Sequence, residues 1–134
     1  SEASISSLQS LRKEAITLKT VLYHCIHSKY GHVSDQVKSL LRLMLKQQTP
    51  SSTIIAEKMG MSSRTLQRKL GEEGTHYKDV LNELRLELAL YYLKNTQLNL
   101  DSIAYELGYA EARSFYRSFK QWTGRTAGSY RSDQ

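Results

Sequence analysis

The chain contains one pattern twice. IIAEKMGMSSRTLQRKL runs from Ile54 to Leu70, and SIAYELGYAEARSFYRSF runs from Ser102 to Phe119. Each copy has a branched residue before Ala (Ile55-Ala56; Ile103-Ala104), then an apolar residue on either side of a Gly (Met59-Gly60-Met61; Leu107-Gly108-Tyr109). An apolar-x-Arg-x-apolar run follows in both: Leu66, Arg68, Leu70 and Phe115, Arg117, Phe119. Gly60 and Gly108 are 48 positions apart and Leu66 and Phe115 are 49 apart, so the second turn is one residue longer. Such a repeat demands two similar small units with a spacer of fixed length between them.

Each unit reads as two short helices crossing at a tight turn. Ala56 and Ala104 are small enough to let the helices approach closely. Gly60 and Gly108 supply a backbone conformation that other residues resist. The apolar residues around each Gly, with Leu66 and Phe115, fill the wedge. The remaining face of the second helix is basic and polar, as a helix that enters a DNA major groove must be.

The spacer, HYKDVLNELRLELALYYLKN, is apolar over much of a helical circumference: Tyr77, Val80, Leu81, Leu84, Leu88, Tyr91 and Tyr92, and also Leu86, Leu90 and Leu93. A helix of that kind is buried by neighbours on several sides. Apolar spacings of 3 and 4 recur throughout, with 1 Pro and 7 Gly in 134 residues. The expected fold class is all-α: two helix-turn-helix units joined by a long central helix, with an extra N-terminal helix. Expected caps are Ser34, Ser51 or Ser52, Ser62, Thr75 and Asn99, and Gly74 is an expected stop. TGRTAGSYR should form a last turn.

GMSSRTLQRKLGEEGTHYKDVLNELRLELA (60–89) and IAYELGYAEARSFYRSFKQWTGRTAGSYR (103–131) resemble the DNA-binding domain of the AraC/XylS family of bacterial transcription regulators. The resemblance covers about residues 35–131. It implies seven helices, two helix-turn-helix units and a linking helix, reading adjacent major-groove segments from one face of the DNA. It also implies transcription control, commonly activation through RNA polymerase, and an effector bound by a separate N-terminal domain. On that reading residues 35–134 are the double helix-turn-helix domain. Residues 1–34 are an N-terminal helix and linker, the tail of a regulatory domain. Where the family commonly has Pro after Gly-x-Ser/Thr, this chain has Ala127. Where it commonly has a Ser or Asp cap and a following Pro at the second reader, this chain has Ala110 and Ala112. The start of that helix is therefore expected to be less rigid than the Ser62-capped one.

Arg64, Gln67 and Arg68 share one face of the first reader. Arg suits guanine O6 and N7, and Gln suits adenine N6 and N7. The matching positions of the second unit are Ala112, Arg113, Ser114 and Arg117; Ala112 offers only apolar contact, for instance to a thymine methyl. These seven are the candidate base readers, with phosphate contact or plain solvation as the competing role. Ser62, Thr65, Lys69, Tyr116, Ser118, Lys120 and Arg125 are candidate phosphate contacts, phosphates being the commoner target of such side chains. Residues 112–131 hold five Lys or Arg and no acid, so that end should dominate the attraction to DNA. Trp122 is expected in the core.

The net charge of +6 and pI of about 9.5 agree with a polyanion partner. The single cysteine, Cys25, suits a reducing cytoplasm, and the resemblance implies a bacterial one, with the protein expected on the nucleoid. No apolar run is long enough to span a membrane, and SEASISSLQSLRKE lacks the pattern of a signal peptide. The start without Met suggests a processed or truncated chain. Leu8, Leu11, Ala15, Leu18, Leu22 and Cys25 follow coiled-coil spacing within a helix over residues 5–29. That seam (residues 8–25) offers a homodimer contact or packs on its own or the preceding domain. His24, Cys25, His27 and His32 are zinc-ligand types. Yet His24 and His27 lie on a different face from Cys25, so no metal or other cofactor is expected. No Gly-rich phosphate loop, HExxH or nucleophile elbow is present, which argues against an enzyme. A basic adaptor that docks an acidic protein is the remaining alternative.

Overall fold

The computed structural model describes residues 32–46 and 48–133. The helix expected over 5–29, its seam and the His24, Cys25 and His27 group lie outside the described residues. Those described form seven helices and no strand: α1 Val33–Met44, α2 Ser52–Lys58, α3 Ser63–Glu72, α4 Tyr77–Asn95, α5 Leu100–Glu106, α6 Ala112–Thr123 and α7 Ala127–Ser132.

Two cores form, and α4 serves both. The first takes Val37, Leu40, Leu41 and Leu45 from α1 and its end, Ile55 and Ala56 from α2, and Leu66 and Leu70 from α3. Val80, Leu81 and Leu84 of α4 close it. The second takes Ala89 and Leu93 from further along α4, with Ile103, Ala104, Leu107, Phe115, Phe119 and Ala127. Leu88 packs against both. A helix that faces two cores in succession needs apolar residues on more than one side, which explains its sequence. Tyr91 departs from that pattern and is exposed.

The two turns close by the same bonds. Met61 N donates to Ala56 O (3.0 Å) and Gly60 N to Glu57 O (3.0 Å). Tyr109 N donates to Ala104 O (3.1 Å) and Gly108 N to Tyr105 O (3.0 Å). The glycines sit at φ +72° and +83°. This is a left-handed helix stop, in which the residue after Gly bonds back to the last full turn. The repeated Ala-x-x-x-Gly-apolar spacing is the sequence form of that geometry.

Ser51, Ser62 and Asn99 cap α2, α3 and α5, accepting from Ile54 N, Thr65 N and Ser102 N. Thr126 caps α7 in the same way. Two expected caps are corrected. Ser34 lies inside α1, whose N-cap position is His32. The free amides there are met from the C-cap of α3: Glu73 accepts from Val33 N (2.8 Å), Ser34 N (3.3 Å) and Ser34 Oγ (2.7 Å). A carboxylate at a helix N-terminus also complements the helix dipole. Thr75 does not cap α4, whose N-cap position is His76, without a side-chain bond. The Thr75 amide instead donates to Leu70 O (3.0 Å), completing the stop of α3 at Gly74.

Candidate nucleic-acid interface

In each unit the second helix is held by its apolar stripe. Leu66 and Leu70 bury α3, and Phe115 and Phe119 bury α6, all at 1% exposure or less. Their ring and methyl burial stabilises each helix by roughly 1.5–3 kcal/mol per side chain. The opposite faces point outward. Arg64, Gln67 and Arg68 are exposed on α3, as are Arg113, Ser114 and Arg117 on α6. Side chains of Arg64, Gln67, Arg113 and Arg117 have no hydrogen-bond or ion-pair partner among the described residues. Arg68 differs: its Nη1 donates to Glu72 Oε1 at 3.0 Å. Ala112 is half-buried against the second core, so little of its methyl is left to meet a base.

The candidate phosphate contacts divide. Lys120 is exposed, and Lys69 and Ser118 are half-exposed. Ser62 is the N-cap of α3, and its hydroxyl also donates to Thr65 Oγ1 (2.9 Å). Tyr116 donates its hydroxyl to Asp101 Oδ1 in the first turn of α5. That hydrogen bond, with a smaller contribution from burial, raises the Tyr116 pKa. Arg125 donates to Ser129 O (3.2 Å) and Oγ (3.1 Å) and pairs with Asp133. Tyr116 must give up Asp101 to donate to a phosphate, whereas Arg125 makes its bonds through Nη2 and keeps Nε and Nη1 for one.

Arg131 turns inward. It donates to Tyr92 O (3.1 Å), Leu93 O (3.3 Å), Leu98 O and Thr96 O (3.4 Å), satisfying carbonyls of the last turn of α4 and of the segment after it. Arg125 and Arg131 are thus engaged, and Arg113, Arg117 and Lys120 are the three of the five cations in 112–131 without a partner among the described residues. They line one side of a groove of about 500 Å³ whose other side is Leu100, Thr126, Ala127 and Gly128. Trp122 is half-buried rather than fully in the core.

Sequence reasoning missed Arg85. This α4 residue is half-buried between the units. Its Nε donates to Leu107 O (2.9 Å), its Nη2 to Thr49 Oγ1 and Gly108 O (3.4 Å), and its guanidinium lies 4.0 Å from the centre of the Tyr109 ring. The available signal was a lone cation between Leu84 and Leu86 on a helix apolar nearly all round. Among the described residues no group of three His, Cys, Asp or Glu is arranged to hold a metal, and no helix is long and apolar enough to cross a membrane.

Two short helix pairs, each with an outward basic second helix, define a tandem helix-turn-helix DNA-binding domain. The family model described as a helix-turn-helix domain matches residues 55–133, and the chain belongs to this AraC/XylS-type family, a family of transcription regulators and not of enzymes. The ornithine utilization regulator of Pseudomonas aeruginosa is 43% identical over 76 residues, 57% of this chain and 22% of that protein. The crystal structure of the transcriptional regulator CdpR from the same organism superposes with a TM-score of 0.68 at 33% identity, covering 77% of this chain and 32% of that one. The DNA-binding domain of AdpA, described as solved in complex with a target DNA, shares the fold. Its TM-score is 0.66 at 19% identity, with 77% and 93% of the two chains covered. The chain spans about a quarter of the length of the curated relatives it matches.

Proposed function

We propose that the chain reads double-stranded DNA sequence-specifically through α3 and α6, placed in adjacent major-groove segments, within a transcription activator. One observation carries the reading: two helices, related by the repeat, each bury one face in a separate core and leave arginines outward. Arg64, Gln67 and Arg68 then read bases in one box, and Arg113, Ser114 and Arg117 in the other, with Ala112 at most a marginal apolar contact. Lys69, Ser118 and Lys120 hold phosphates, together with the more committed Ser62, Thr65, Tyr116 and Arg125. The AdpA domain, solved with its target DNA, supports a nucleic-acid role for this fold.

The finer parts follow from the same reading. Residues 35–134 act as the DNA-binding domain, RNA polymerase is the activation partner, and a domain joined through residues 1–34 binds the effector. Residues 8–25 supply a homodimer seam, and the protein works on the nucleoid of a bacterial cytoplasm. Selection of bound sites from a random duplex pool tests the core claim. Two conserved boxes one helical turn apart, about 34 Å along the duplex, are expected. A single short box would mean that only one unit reads DNA. Binding that ignores duplex DNA would favour an adaptor for an acidic protein.

A further inference from the structure

The two cores are separate, so the angle between α3 and α6 depends on what crosses between them. Besides α4 itself, the segment after α1 does so among the described residues, at the turn of the second unit. The segment after α1 runs against Gly108. Thr49 Oγ1 donates to Gly108 O at 2.9 Å and in turn accepts from Arg85 Nη2. Arg85 Nε donates to Leu107 O at 2.9 Å, so one guanidinium holds both the first unit's leading segment and the second unit's turn. The approach is close: a Cβ on Gly108 would lie 2.5 Å from Leu45 O and 2.7 Å from Thr49 Oγ1. A Cβ on Gly60, the matching glycine, would meet nothing within 4 Å. The repeat is therefore broken where the units touch. Lys46 Nζ and Glu106 Oε1, 3.2 Å apart, add an ion pair along the same seam.

We propose that Arg85, with Thr49 and Gly108, is a positioning clamp that fixes α3 relative to α6 and thereby sets the permitted spacing between the two DNA boxes. A guanidinium suits the task, because its planar fork of donors reaches several acceptors in one rigid arrangement. Lysine offers a point charge on a flexible stem and cannot hold Thr49 and Leu107 in the same way. The clamp touches no DNA and acts only through the readers' geometry. It rests on the proposed reading of DNA by both units.

The test uses the full chain and its Arg85→Lys, Arg85→Met and Thr49→Val variants. Binding is measured to a selected two-box duplex, to duplexes with the gap changed by one base pair either way, and to each single box. One base pair rotates a box by roughly 35° about the helix axis. The wild type should lose about tenfold on either altered gap, in the range of one mismatched base pair. The variants should lose less than about threefold, with single-box affinity kept within about twofold. Equal losses on all duplexes, with the wild-type gap preference retained, would make Arg85 a stability residue and overturn the clamp. A second readout needs no DNA: the distance between nitroxides at Gln67→Cys and Gln121→Cys, in a Cys25→Ser background. It should be narrowly distributed in the wild type and broad in Arg85→Met and Thr49→Val. An unchanged distribution overturns the clamp whether or not DNA is bound. A narrow wild-type distribution that broadens in the variants, without any duplex preference, would sink the DNA reading and leave the clamp's geometry standing.

Discussion

Arg68 Nη1 and Glu72 Oε1 pair at 3.0 Å one turn apart on α3, both side chains 63% exposed. The carboxylate lies at the end of the reader that carries three candidate base readers. It holds Arg68 in one orientation and repels an approaching phosphate. A pair so exposed stabilises the helix by only about 0.2–0.5 kcal/mol, so its consequences should appear in binding. Glu72→Gln should tighten binding to all duplexes a fewfold, with a smaller gain on the selected site than on unrelated DNA. Arg68→Ala should cost about 1–3 kcal/mol on the selected site and relax preference at one base pair. Affinity measured against a panel of single-base changes checks both, and a uniform loss for Arg68→Ala would make it a phosphate contact.

Arg117→Ala should behave like Arg68→Ala at the other box, since both occupy the middle of the apolar-x-Arg-x-apolar run. Lys120 should behave differently. It is exposed one turn further along, beside the groove shared with α7. Lys120→Ala should weaken binding on every sequence and lower the slope of log K against log salt by about 1. A titration of affinity against salt distinguishes the two residues; a base-specific loss for Lys120 would reverse its assignment.

What was legible in the sequence was local. Ala56, Met59 and Met61 around Gly60 encode a stop that closes within six residues, and Ala104 to Tyr109 repeat it. Ser62 and Asn99 cap amides three residues on. Helical spacing alone predicts that Leu66, Leu70, Phe115 and Phe119 are inside and the intervening arginines outside. What was not legible joins distant parts of the chain. Glu73 supports α1 from 39 and 40 residues away, and Arg131 meets Leu98 O from 33 away. Nothing in the pattern around Tyr116 or Arg125 foretold that Asp101 and Asp133 would occupy them. Thr75 looked like a cap because it precedes a helix, but the helix starts one residue further on and leaves His76 in the cap position.

The two matching glycines should differ in cost. Gly60→Ala imposes a side chain at φ +72° in open space, for about 1–2 kcal/mol. Gly108→Ala adds a collision with Leu45 O and Thr49 Oγ1, and relieving it must shift backbone. Its cost should exceed that of Gly60→Ala by at least about 1 kcal/mol. Urea denaturation of both variants gives the comparison; equal costs would mean that the seam between the units yields freely.

The readers should also differ at their starts. Ser62 caps α3 through Thr65 N at 3.1 Å, whereas the N-cap of α6 is Glu111, without a side-chain bond. The first amides of α6 should exchange faster than those of α3. Glu111→Ser should slow them and stabilise the domain by about 0.5–1 kcal/mol. Equal protection of the two starts in the wild type would show that packing of Ala112 on the core already replaces the cap.

The last prediction concerns pH. Tyr77, in the first turn of α4, donates its hydroxyl to Pro50 O. Burial pushes its pKa up to about 12, against the opposing charge of Arg85. The ordinary value, which applies to the unfolded chain, is about 10. The folded state thus favours the protonated phenol. Its contribution is complete below pH about 10 and is lost as pH rises to about 12. The side chain is only half-buried, so solvent screening limits the effect to about 1 kcal/mol. Tyr77→Phe should be about 1 kcal/mol less stable near pH 8, through the lost hydrogen bond. That deficit should shrink between pH 10 and 12, because only the wild type has a phenol to ionise there. Denaturation curves for both proteins across that range give the difference, and a gap that stays constant with pH would show that the Tyr77 hydroxyl is as well solvated folded as unfolded.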